Sequence, residues 1–182
     1  MFIIKKITWV LRAVLLKFFF GRLGYFSYLG KPLLLIGMKR MFIGHKFRLY
    51  PNARIEVYKS GSLTIGDNVA IGQNFHLIAS EHLRIASGVL ISANVLITDT
   101  DHTYSQYNVP IHEQGNNVKP TSIGKNCFLG YGAVIQAGTI LGDNCIVGAN
   151  ATVKGIFQEG SIIVGSPGKV IKRRLAPQQA DR

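Results

Sequence analysis

Aliphatic side chains recur at every sixth position of this chain, in series: Ile43, Leu49, Ile55; Ile65, Ile71, Leu77; Ile85, Ile91, Ile97; then Ile123, Leu129, Ile135, Leu141, Val147 and Val153. Four residues after most of these anchors stands a second small or apolar residue, such as Phe47, Ala53, Val69, Phe75, Val89, Val95, Cys127, Ala133, Thr139, Cys145 or Ala151. Two inward positions in each hexapeptide cannot come from an α-helix. Three residues after the anchors a column reads Asn52, Asn68, Asn74, Gly88, Asn94, Asn126, Gly132, Gly138, Asn144 and Asn150. Gly and Asn enter the left-handed backbone region at least cost, so the column predicts a corner with positive φ at each of these positions. Each hexapeptide is then a short strand plus a corner. Three sides close a triangular coil of about eighteen residues, and coils stack about 4.8 Å apart, the spacing of strands in a sheet. The pattern predicts an all-β prism over 43–164, its anchors forming interior ladders.

The interruptions are regular too. Four extra residues separate Ile55 from Ile65, two separate Leu77 from Ile85 and twenty separate Ile97 from Ile123. All follow the third side of a coil, so loops leave from one vertical edge, and the longest, 98–122, is expected to project as an arm. A long loop on a rigid scaffold is where function concentrates.

Ahead of the repeat, residues 1–42 read as a basic apolar leader, helical at its start. Ile3, Ile4, Ile7, Val10, Leu11, Val14, Leu15 and Phe18 share one broad helical face; Trp9, Leu16 and Phe20 make part of the opposite side apolar as well. Lys5, Lys6, Arg12 and Lys17 interrupt the run too often for a membrane span. The pattern suits a helix lying in an anionic membrane interface through residues 1–22, or else one packed on its own domain or on a sister subunit. No small-residue cleavage site follows, which disfavours a secretory signal and points to a cytoplasmic protein associated peripherally with the inner face of the membrane.

Charge sharpens this reading. Lys and Arg number 21 against 9 Asp and Glu, and eleven of the cations precede the first acid, Glu56. The positive surface therefore lies at the N-terminus, with a second basic stretch in the tail, 165–182. Nucleic acid is disfavoured as a partner, because the leader is too apolar and no nucleic-acid motif accompanies it. Cys127 and Cys145 are eighteen residues apart, which stacks them in one interior column; they read as small buried residues rather than ligands or a disulfide.

Repeat, arm and tail together resemble the left-handed β-helix (hexapeptide-repeat) acyltransferases. "ITDTDHTY", "VKPTSIGKNCFLGYGAVI" and "IIVGSPGKVIKRR" are similar to segments of galactoside and maltose acetyltransferases, and the leader is similar to that of O-acetyltransferases of bacterial surface polysaccharides. The resemblance implies a left-handed coil, acetyl-CoA as co-substrate, no metal, and a homotrimer with sites between subunits. It places the general base at His102, whose neutral imidazole suits removal of a hydroxyl proton near pH 7. Asp99, Asp101 and Glu113 are candidates to orient that ring; the family pattern favours Glu113, although about three extra residues precede the re-entry into the coil. His112, beside it, reads as solvated. The family's oxyanion donor, a backbone N–H, maps to Tyr131. Ala149 and Lys154 would contact the pantetheine arm of CoA, and Lys169 and Lys172 its phosphates, with Arg173 and Arg174 able to assist.

Competing readings stay open at this point. A carbonic anhydrase on the same coil needs three zinc-bound His, and His45, His76, His82, His102 and His112 include no pair with that family's five-residue separation. A membrane-associated scaffold would lack a base at the arm. Among acyltransferases the acceptor is a sugar, lipid-linked and O-acetylated if the leader docks on a membrane, or alternatively a soluble nucleotide-linked amino sugar or small molecule acetylated on nitrogen.

Overall fold

The hexapeptides wind into a three-sided β-solenoid in the computed structural model, which describes residues 2–58 and 60–174. Successive turns give their strands to three sheets of seven, eight and six strands, parallel except for the last strand of the second. The six-residue period reappears as register: Ile43 lies opposite Ile65, Ile65 opposite Ile85, Ile85 opposite Ile123, and Ile123 opposite Leu141. All five side chains are buried in one continuous core. Truncating such a ladder residue to Ala costs about 2–5 kcal/mol. Cys127 and Cys145 are buried in it as free thiols, donating to the carbonyls of Gly142 and Gln158 at 3.2 Å in each case.

All ten Asn and Gly corner positions have positive φ, from 54° at Asn126 to 84° at Gly138. At Gly88 and Gly132 a Cβ would stand 2.2 Å from Oδ1 of Asn126 and of Asn150 in the next coil, so those amides would have to turn aside for any larger residue.

The solenoid begins a full coil earlier than the repeat suggested. Residues Arg22–Leu23, Tyr28–Leu29 and Leu34–Ile36 pair in parallel with the coil that was expected to be first. The helical leader is therefore not 1–42 but helix α1, Phe2–Leu16, followed by a 3₁₀ turn at Lys17–Phe19. Leu23, Leu29 and Leu35 keep the six-residue spacing, but Phe26 and Pro32 stand where Asn or Gly should mark the corners, which hid the coil.

Helix α1 covers the open end of the prism. Trp9 packs against Tyr28 and Tyr50, with ring centroids 5.8 and 5.5 Å away, and Ala13 and Phe20 are buried. Arg12 donates through Nη1 to the Leu29 carbonyl at 2.8 Å, satisfying a first-coil acceptor that has no coil beyond it. The Trp9 side of the helix is thus the one packed on its own domain. The broad apolar face stays exposed, from 46% at Val10 to 70% at Leu15 and 87% at Phe18. The side chains of Ile3 and Ile4, and residues 175–182 of the tail, lie outside the described residues. No described helix is long and apolar enough to cross a membrane.

The tail is not wholly irregular. Residues Lys169–Arg173 form an exposed strand antiparallel to Ser161–Val164, closing the second sheet after a turn with Gly165 at φ 89°.

Candidate active site

The arm leaves the prism after Leu96–Thr98 of the third sheet and returns at Thr121–Ile123 of the first. Its root is an antiparallel hairpin pairing Thr100 with Val118, Asp101 with Asn117 and His102 with Asn116. Gln114 closes the outer loop, donating from Nε2 to the carbonyls of Gln106 and Val109 at 2.9 and 2.7 Å and accepting from the Gln106 N–H at 2.9 Å. His102 therefore stands on a strand held at both ends of its loop. Its side chain is exposed, and no described residue hydrogen-bonds its ring.

The three carboxylates proposed to orient that ring have separate occupations. Asp99 is fully buried and accepts from the N–H of Ser80 and Glu81 at 2.8 and 3.0 Å and from the Thr100 hydroxyl at 2.9 Å. Both oxygens are committed to the arm's root, so Asp99 anchors the arm rather than orienting the imidazole. Asp101 accepts from the His102 backbone N–H at 3.2 Å and pairs with Lys154 Nζ at 3.4 Å. Glu113, in the 3₁₀ turn Ile111–Glu113, is exposed and lies 3.7 Å from Nε2 of its neighbour His112. Within the chain it does not touch His102, and His112 is largely exposed.

Tyr131 occupies the corner between the second and third sheets, whereas the arm leaves from the corner between the third and first. The expected base and oxyanion donor thus lie on opposite edges of the third sheet. The Tyr131 N–H has no acceptor among the described residues, although its carbonyl accepts from Asn150 N–H at 2.8 Å. Its hydroxyl accepts from Asn94, ending an amide ladder in which Asn52 donates to Asn74 and Asn74 to Asn94 at 3.2 and 2.9 Å.

Ala149 stands one coil above Tyr131 on the same corner column and is exposed. Lys154 is half-exposed but held by Asp101. Lys169 and Lys172 lie exposed on the closing strand without an ion pair among the described residues. Arg173 is engaged by Gln158 Oε1, and Arg174 donates to the Asn144 carbonyl at 3.3 Å. Lys154 stands on the arm's edge of the third sheet and Ala149 on the Tyr131 edge, so one chain does not gather the whole set. The exposed cations and the corner N–H groups are chemically suited to an extended anionic co-substrate. No three described His, Cys, Asp or Glu side chains gather as a metal cluster.

A polar cluster on the third sheet was not anticipated. Glu56 is buried on that face, accepting from Arg54 Nε at 2.5 Å and the Tyr58 hydroxyl at 3.1 Å, with His76 Nε2 3.6 Å away. The Arg54 hydrogen bond holds its carboxyl below the usual range. Arg54, Glu56 and Tyr58 alternate on one strand face, a period-two signal that could have revealed three of the four residues.

A hexapeptide solenoid with a histidine-bearing arm at one edge defines a class, and comparison with known proteins narrows it. A family model described as the hexapeptide repeat of succinyl-transferase matches residues 120–154. A putative lipopolysaccharide biosynthesis O-acetyl transferase, WbbJ of Escherichia coli K12, is 30% identical over 137 residues, 71% of this chain and 70% of that protein. A probable acetyltransferase of Mycobacterium tuberculosis is 34% identical over 120 residues, 66% of this chain but 40% of its own length. Among solved structures, a mutant of the N-acyltransferase AntD from Bacillus cereus, in complex with dTDP and coenzyme A, shares the fold with a TM-score of 0.77 at 20% identity, covering 92% of this chain and 91% of that one. The chain belongs to the hexapeptide-repeat acyltransferase family.

Proposed function

We propose that the protein transfers an acetyl group from acetyl-CoA to a hydroxyl of a sugar in a bacterial surface-polysaccharide precursor, with His102 as general base. The observation that carries this reading is the exposed His102 imidazole on a hairpin strand fixed at its root by buried Asp99. In the proposed step the imidazole takes the hydroxyl proton as the oxygen attacks the thioester carbonyl. The tetrahedral oxyanion is met by a Tyr131 N–H. Collapse breaks the carbon–sulfur bond, and the imidazolium returns its proton to the departing thiolate.

Because His102 and Tyr131 occupy opposite edges of one sheet, the working site is assembled between copies of the chain. A closed homotrimer does this three times, His102 of each copy facing the Tyr131 edge of the next. Lys154, Lys169, Lys172 and the Ala149 corner then line the acetyl-CoA path. Glu113, unbonded to His102 within a protomer, is free to approach the ring only if the arm's outer loop shifts or a neighbour supplies it.

The exposed face of α1 supports docking on the anionic inner leaflet, and hence a lipid-linked acceptor. The name of the Escherichia coli relative favours oxygen over nitrogen as the acceptor atom. The test is release of free thiol from acetyl-CoA with lipid-linked glycan precursors or amino sugars, comparing intact protein with His102→Ala. Hydroxyl-dependent release that collapses in the variant is the expected result; equal release from both removes His102 from the mechanism, and release only with amino sugars makes the protein an N-acetyltransferase.

A further inference from the structure

Among the described residues with left-handed backbone, only Phe26 and Lys46 are neither Gly nor Asn, with φ of 59° and 56°. They are consecutive members of one corner column, which continues through Asn68, Gly88, Asn126 and Asn144. A bulky side chain there carries a steric cost that Asn would largely avoid. Nothing inside the fold recovers that cost for Phe26, whose side chain is 85% exposed. Strain without a packing reward points outside the chain.

The surroundings say what kind of surface recovers it. Phe26 adjoins Tyr25, which is 64% exposed and has Lys17 Nζ over its ring at 3.9 Å, tying this corner to the end of α1. Phe18 and Phe19, next in sequence to that lysine, are exposed as well. The column therefore reads, from the end of the prism inward, aromatic, cation, amide. Lys17 lies over the Tyr25 ring, Arg22 stands beside the His45 ring stacked on Tyr25, and the Lys46 N–H donates to the Tyr25 carbonyl at 2.8 Å. These are three cations against one nearby carboxylate, Asp67, which accepts from the His45 N–H at 2.7 Å. A second copy of the same face would meet it with like charge.

We propose that this corner is a lipid-inserting wedge. Phe26 enters the acyl boundary of an anionic bilayer while Lys46, one coil further in, meets the headgroup phosphates. The prism is thereby fixed end-on, with its first coil as well as α1 in the interface. This rests on the reading of α1 as a bilayer-docking helix, and extends the contact to a part of the solenoid itself.

The experiment compares the intact chain with Phe26→Asn, Lys46→Asn and Leu15→Asp for co-sedimentation with vesicles of phosphatidylglycerol and phosphatidylcholine in equal parts, alongside thermal unfolding and light scattering. Asn restores the residue type of the column, so Phe26→Asn should unfold at a higher temperature yet bind vesicles about tenfold more weakly, as loss of one buried aromatic requires. Lys46→Asn should weaken binding about fivefold. If Leu15→Asp abolishes binding while Phe26→Asn binds like the intact protein, the helix docks and the wedge is wrong. No binding by the intact chain defeats both readings. A Phe26→Asn protein that changes its assembly size and not its vesicle binding would make this corner a subunit contact, again overturning the wedge.

Discussion

Lys154 Nζ stands 3.4 Å from Asp101 Oδ2, joining the final turns of the solenoid to the residue beside His102. Both side chains are about half exposed, so the pair is screened and contributes within about 1 kcal/mol of stability. Lys154→Ala and Asp101→Asn should therefore unfold within a few degrees of the intact protein. Their kinetics should differ: if Lys154 lines the acetyl-CoA path as proposed, its loss raises the KM for acetyl-CoA, whereas Asp101→Asn loosens the strand under His102 and lowers kcat. Equal effects on both parameters from either change would reduce Lys154 to a brace for the hairpin.

The chain carries its own precedent for a corner that lacks an N–H at the place of Tyr131. Pro51 occupies the equivalent position two residues after its anchor Leu49, followed by Asn52 at φ 64°, much as Tyr131 is followed by Gly132 at φ 68°. Its carbonyl still accepts from Asn74 N–H at 3.1 Å, the counterpart of the Asn150 bond to Tyr131. One coil before Pro51 stands Gly30, where a Cβ would lie 2.8 Å from the Pro51 Cδ, whereas Ser92 holds that place before Tyr131. Tyr131→Pro made together with Ser92→Gly should accordingly fold, yet lose about 10²–10³ in kcat relative to Ser92→Gly alone if this N–H binds the oxyanion. Tyr131→Phe keeps the donor and should retain nearly all activity. Comparable losses in the two variants would shift the role to the phenol.

The interior and its corners were legible because each coil repeats the same local demand: an aliphatic anchor, a small second residue and a left-handed amide or glycine. Where the first coil put Phe26 and Pro32 at those corners, the signal failed although Leu23, Leu29 and Leu35 kept step. The site was legible only in part. His102 follows the third side of its coil and could be placed by counting, but the fate of Asp99, Asp101 and Glu113 depends on the path of the hairpin, which is set by tertiary hydrogen bonds such as those from Ser80 and Glu81. The Arg54, Glu56 and His76 cluster escaped because His76 joins it across the sheet from the next coil, directly opposite Arg54.

Asp99 supplies a direct test of how far the arm depends on its root. Asn in its place keeps the shape but turns an amide NH₂ toward one of the two backbone N–H groups, Ser80 or Glu81, that each now donate to a separate carboxylate oxygen. Asp99→Asn should lose about 2 kcal/mol or more in denaturant unfolding, and the hairpin amides of residues 100–102 and 116–118 should exchange faster than those of the coils. Unchanged protection would show that the hairpin's own ladder suffices.

Glu56 makes the fold sensitive to acid through a defined group. Its hydrogen bond from Arg54, assisted by that from Tyr58, lowers its carboxyl below the usual value, although burial works in the opposite direction. A carboxyl with a depressed folded-state value binds fewer protons in the native chain than in the unfolded one, so the unfolded state gains from added protons first. The stabilisation is complete above the ordinary glutamate value of about 4.3 and disappears as the pH falls through the lower folded-state value. Thermal unfolding followed from neutral pH into that range should show a falling midpoint in the intact protein. Glu56→Gln should start lower at neutral pH, because the buried side chain at position 56 loses its charge-assisted hydrogen bond from the half-exposed Arg54, and should then fall less steeply. Parallel curves for the two proteins would assign the acid sensitivity to groups other than Glu56.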